Sequence, residues 1–250
     1  MITRKSKEQI ALMRRAGKVV AEMHEVCTRA SKPGATTLGV DAVAREVLER
    51  RGARSNFLNY HGFPAVVCTS PNDVIVHGIP SDTVVLEEGD ILSIDCGAII
   101  EGWHGDAAIT IPIGDIDDES KQLLEVTRAS LEAAIEEVVE DHRLGDVGAA
   151  VEGVAEAAGF SVVREYVGHG IGTAMHEEPQ VPNYGPAGRG MKLKVGHVLA
   201  IEPMINAGGP ETLLLDDGWT VVTKDKRRSA HFEHTIAVTD HGPEVLTLPW

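Results

Sequence analysis

Residues 86–95 read LEEGDILSID and residues 193–202 read LKVGHVLAIE. Leu, Gly, Leu, Ile and a closing acid recur between them at a constant offset of 107 positions, so Asp95 in the first passage corresponds to Glu202 in the second. Each passage leads to another acid that opens a further strand-like run: Asp106 before AAITIPIG, and Glu233 before HTIAVTDHG. Four carboxylates thus occupy equivalent points of two halves. If the halves fold together about a pseudo-twofold axis, the four acids meet, and four negative charges cannot stay together unpaired. Two divalent cations would balance them charge for charge.

The flanking sequence repeats as well. Helical apolar spacing covers residues 6–30 and 37–51, broken at Pro33-Gly34 and ended by Gly52. The second half carries helices over 119–141 and 146–158, broken at Leu144-Gly145 and ended by Gly159, again 107 residues after its counterpart. Strands are expected over 65–69, 90–95, 107–113, 161–165, 197–202, 220–222 and 233–238, joined in the first half by short turns that favour antiparallel pairing. These elements predict an α+β fold with pseudo-twofold duplicated halves. Its curved, mostly antiparallel sheet carries two outer helix pairs and holds the active site on its inner face. Residues 1–250 read as one catalytic domain with an internal repeat of about 6–113 and 119–241.

Composition narrows the function. Of the 250 residues 43% are hydrophobic, no apolar run nears the roughly 20 residues a membrane span needs, and the N-terminal stretch MITRKSKEQI lacks a signal-peptide core. Three sparse cysteines, Cys27, Cys68 and Cys96, argue against a disulfide framework or a thiolate zinc site. These features lead us to expect a cytoplasmic protein. A formal net charge of −15 argues against nucleic-acid binding. The short cluster Lys224, Lys226, Arg227 and Arg228 reads as a solvated hairpin edge.

Asp95 and Asp106 flank a turn near residues 100–102, so an antiparallel hairpin sets them opposite or one diagonal step apart, roughly 5–8 Å at Cβ. Residues 168–172, GHGIG, put glycine on both sides of His169, which lets backbone approach closely and offers the imidazole to a site. Four acids and one imidazole suit Mn, Fe, Co or Zn in an open catalytic site. His77 in VHGIP and His176 in MHEEPQVPNYG occupy similar loops. His24, His61, His104, His142, His197, His234 and His241 read as satisfied surface histidines.

Taken together, VHGIP, IDCGAIIEGWHGDAA, GHGIG, HEEPQ, AIEPMINAG and FEHTIAV resemble the type I methionine aminopeptidases, a family with the pita-bread fold. The motifs run in family order along nearly the whole chain. Glu233 follows Glu202 by only 31 positions, which leaves no room for the helical insert of type II enzymes and implies the bacterial short form.

By that resemblance Asp95 chelates one divalent ion, His169 and Glu202 bind a second, and Asp106 and Glu233 bridge both. A bridging water, acidified by the paired cations, attacks the first peptide carbonyl. Glu202 takes its proton, His176 stabilises the oxyanion, and His77 contacts the substrate amide. An apolar pocket for the methionine thioether falls on Phe57, Tyr60, Phe63, Cys68, His77, Met175, His176 and Trp219. By the same resemblance Phe is expected at the place of Met175, and Gln at the place of His231. The implied activity is removal of N-terminal methionine from nascent proteins and peptides with a small second residue, by a monomer in transient contact with the ribosome. Other readings are a pita-bread peptidase acting on Xaa-Pro bonds and a non-catalytic peptide-binding module.

Overall fold

Ser6 starts the first helix. Its hydroxyl accepts from the Gln9 amide at 3.3 Å while the Gln9 side chain accepts from the Ser6 amide at 2.8 Å, a reciprocal cap that satisfies two otherwise orphaned donors. In this computed structural model, which describes residues 2–249, helix α1 then runs Lys7–Ala30 and buries Ile10, Met13, Val20, Met23 and Cys27. Thr36 caps α2 (Thr37–Arg51) through Gly39 N, and Gly52 ends it in the left-handed conformation. Asp117 caps α3 (Asp118–Glu136) through Ser120 N at 2.7 Å, and α4 spans Leu144–Ala157.

Helix α3 stops short of the expected residue 141. The chain turns over 137–141 so that the Asp141 amide can donate to Leu193 O at 3.0 Å, as the Gly34 amide donates to Leu86 O at 2.8 Å. These two bonds are related by the same 107-residue offset. So are the bridges Thr36↔Val85 and Arg143↔Lys192, which pin the start of each second helix to the repeated passage.

All strand pairs are antiparallel. Strands β1 (Val67–Pro71), β2 (Ile91–Ile100) and β3 (Trp103–Pro112) form most of the first sheet, with β2 between the other two. Strand β3 opens earlier than the sequence suggests: Ile100 pairs with Trp103 across a tight turn at Glu101-Gly102, so Asp106 lies inside the ladder. The second half has β4 (Gly168–Gly170), β5 (Glu177–Val181), β6 (Val198–Ile201), β7 (His234–Thr239) and β8 (Gly242–Val245), in the order β8-β7-β6-β4-β5. Two three-stranded sheets complete the fold, made of residues 161–162, 204–206 and 229–231, and of residues 74–76, 212–214 and 221–223. Reciprocal main-chain bonds between Ala108 and Glu233, at 2.8 and 3.3 Å, join the two halves.

Alternation along the strands decides which side chains face the helices. Leu92, Ile94, Cys96 and Ala107 pack in one core with α1 and α2, and Leu199, Ile201, Ile236 and Val238 pack in another with α3 and α4. Asp95, Asp106, Glu202 and Glu233 hold the alternate positions, so they point to the opposite face of the sheet. Among the described residues no helix is long and apolar enough to cross a membrane.

Candidate metal centre and active site

Asp95 is registered against Ala108, and Asp106 against Gly97, so the two carboxylates are diagonal neighbours on one face of the β2–β3 hairpin. Glu233 enters beside them through its main-chain pairing with Ala108, and Glu202 follows the last residue of β6, opposite the start of β7. One ligand atom each of Asp106, His169 and Glu233 lies within 4.8 Å of the others. His169 Nε2 is 3.6 Å from Glu202 Oε1.

Both glycines flanking His169 are required by geometry. A Cβ on Gly168 would lie 2.4 Å from Ala200 O, and one on Gly170 would lie 2.3 Å from Glu178 O, because β4 is squeezed between β6 and β5. His169 Nδ1 lies 2.9 Å from Gly170 O. A carbonyl only accepts, so Nδ1 carries the proton and Nε2 presents a lone pair toward Glu202.

The electrostatics are those of a site built around positive charge. Burial pushes the Asp95 carboxyl up to about 7. Burial, and then neighbouring carboxylates, raise Asp106, Glu202 and Glu233 well above the usual carboxylate range. Asp95 Oδ1 and Asp106 Oδ1 are buried with no hydrogen-bond partner among the described residues. Four converging acids, two orphaned oxygens and an imidazole lone pair form a donor set that fits divalent cations.

The thirteen residues singled out from sequence line one cavity of about 140 Å³. The acids and His169 meet at one end. The apolar part is walled by Phe57, Phe63 and Trp219 in edge-to-face contact, with Cys68 and Met175 in the same cluster. His77 lies against Trp219 with a left-handed backbone at φ 60°, and burial lowers its imidazole to about 4. The His176 ring sits 4.3 Å from that of His169, and its Nδ1 is 2.8 Å from the Tyr60 hydroxyl.

Several supporting residues escape a reading by motif. Thr235 Oγ1 accepts from Asp106 N at 3.0 Å and donates to Asp106 O at 2.8 Å, fixing that acid's backbone. Its signal is its place two residues after Glu233, on the same strand face. Asn183, buried, donates to Glu202 O at 3.0 Å. Buried Lys5 pairs with Glu177 at 2.7 Å, and Glu177 accepts from Thr173 N, holding the loop that carries Met175 and His176. His231 Nε2, enclosed and with no hydrogen-bond partner among the described residues, lies 3.8 Å from Glu202 Oε2.

The expectation of satisfied surface histidines fails for His24 and His197, which are buried, and for His104, whose Nδ1 is enclosed with no hydrogen-bond partner among the described residues. His24 shares the inward face of α1 with Val20 and Cys27, at helical spacing, and burial lowers its imidazole to about 4. In the basic cluster, Arg227 and Arg228 are drawn to Glu119 and Asp117 at the start of α3.

The sequence profile of metallopeptidase family M24 matches residues 11–240. A methionine aminopeptidase of Clostridium acetobutylicum is 48% identical over 248 residues, 99% of each protein. The crystal structure of methionine aminopeptidase from Thermotoga maritima superposes with a TM-score of 0.98 at 43% identity, covering 99% of this chain and 100% of that one. A prolidase from Pyrococcus furiosus shares the fold at 21% identity, with a TM-score of 0.79 over 99% of this chain and 66% of that one.

Proposed function

Because the chain belongs to metallopeptidase family M24, and within it to the methionine aminopeptidases, we propose that it removes N-terminal methionine from nascent proteins and peptides whose second residue is small. The observation that carries this reading is the junction of a buried four-carboxylate cluster with an apolar, aromatic-walled pocket in one cavity. Asp95, Asp106, His169, Glu202 and Glu233 would hold two divalent ions, with Asp106 and Glu233 shared between them. The chemistry that such ions supply when bound is Lewis acidity, which polarises a peptide carbonyl and acidifies water.

The chain's own residues do the rest. The pocket of Phe57, Phe63, Cys68, Met175 and Trp219 takes the unbranched thioether side chain and excludes water from it. Tyr60 and His77 close the pocket beside the scissile bond. Glu202 accepts at its carboxylate the proton that the attacking water gives up. His176 meets the carbonyl oxygen as charge builds there, and His77 lies at the amide of the departing chain. A β-branched second residue would crowd the acids, which accounts for the small-residue preference.

The test is removal of either shared acid. Asp106→Ala and Glu233→Ala should each abolish turnover of a Met-Gly peptide and lower the bound metal measured by elemental analysis. Substantial turnover with two ions still bound would refute the assignment.

A further inference from the structure

His169 and His176 are adjacent imidazoles, their ring centroids 4.3 Å apart, yet their second nitrogens have partners of opposite character. His169 Nδ1 faces a carbonyl, which can only accept. His176 Nδ1 faces the Tyr60 hydroxyl at 2.8 Å, and a hydroxyl can donate. A phenol is a better hydrogen-bond donor than acceptor toward the more basic imidazole nitrogen, so the natural arrangement is O–H to Nδ1 with the ring proton on Nε2.

Tyr60 is held for this contact by a segment in an uncommon conformation. Asn59, His61 and Gly62 have φ of 65°, 46° and 91°, all in the left-handed region. Two of them are not glycine, and such backbone persists only where its surroundings over-determine it. Here they do. The Asn59 amide donates to Phe63 O at 2.8 Å, Tyr60 N to Phe57 O at 2.8 Å and Phe63 N to Tyr60 O at 2.9 Å, while Ser55 Oγ accepts from Phe57 N and Leu58 N at 3.0 and 3.1 Å. The ring of His61 packs edge-on against Tyr60 at 4.5 Å.

We infer that Tyr60 is a positioning residue that fixes His176 in the tautomer with its proton on Nε2, so that this imidazole offers a donor while its neighbour His169 offers a lone pair. One strained turn and one carbonyl thereby give two touching histidines opposite roles. The inference builds on the peptidase reading for its consequence, but its direct readout is independent of activity.

The experiment is nitrogen NMR of the histidine rings in metal-free and zinc-loaded protein, with His176 assigned by its loss in His176→Ala. The expected result is a His176 ring protonated at Nε2 and bare at Nδ1. Tyr60→Phe, which keeps the ring and removes the hydroxyl, should shift that balance toward the other tautomer. It should also lower kcat on a Met-Gly peptide by roughly 10–100-fold with KM and metal content unchanged. A wild-type ring protonated at Nδ1 overturns the inference, as does a tautomer balance unchanged in Tyr60→Phe. Should the variant not fold, the wild-type spectrum still decides. If the expected tautomer is found but no form of the protein hydrolyses the peptide, the functional reading fails and this one stands.

Discussion

Asp106 carries the argument at the scale of single residues. It is buried, one of its oxygens has no hydrogen-bond partner among the described residues, and it shares its cavity with three other acids, so in isolation it costs stability. A carboxyl whose folded value is raised contributes no penalty below its ordinary range, a growing one as pH climbs from that range to the folded value, and a constant one above it. For Asp95 that climb runs from 3.8 to about 7, and Asp106, Glu202 and Glu233 are displaced in the same direction. Buried histidines such as His169 act oppositely, but only below their ordinary 6.5. The melting temperature of chelator-treated protein should therefore fall between about pH 6.5 and 8 while that of manganese-loaded protein stays nearly level, as calorimetry at matched ionic strength would read. Parallel pH profiles would show that the acids do not share a buried charge problem that metal relieves. Asp95 and Glu202 were legible because the repeat sets them at one offset of 107, and Asp106 and Glu233 because each opens the strand-like run that follows its passage. The Tyr60–His176 bond was not, since its partners are 116 positions apart and only tertiary folding brings them together.

At the scale of elements, helix–sheet packing was readable from apolar periodicity, but the polar ties that set each element's limits were not. Asp41 lies on the buried face of α2, where its carboxylate accepts from Val66 N and Val67 N at 2.7 and 3.3 Å and from Arg45 Nε at 2.5 Å. It anchors the helix to the start of β1. Asp41→Ala leaves two buried amides without their acceptor and should destabilise the protein by roughly 2–4 kcal/mol. The loss would appear as a lower denaturant midpoint at unchanged slope, with metal stoichiometry retained. A midpoint within error of the wild type would deny Asp41 this anchoring role. The same limit explains α3 and β3. Helix α3 ends where Asp141 is drawn back to Leu193, and β3 begins at the far side of a two-residue turn. Neither long-range pairing leaves a mark in local apolar spacing.

At the scale of the whole molecule, the two halves each supply a strand pair with two acids, and the Ala108–Glu233 bonds join the pairs edge to edge. Neither half alone encloses the cavity: Phe57, Tyr60, Phe63, Cys68 and His77 come from the first, and His169, Met175, His176 and Trp219 from the second. Substrate recognition and metal binding therefore depend on the same assembly of halves. The most direct test is a panel of Met-Ala, Met-Ile and Xaa-Pro peptides, assayed after chelation and during titration with manganese. The account predicts release of methionine from the Met-Ala peptide alone, lost on chelation and restored to a maximum at two ions per chain. Cleavage that survives chelation, or hydrolysis of the Xaa-Pro peptide in preference to Met-Ala, would contradict it.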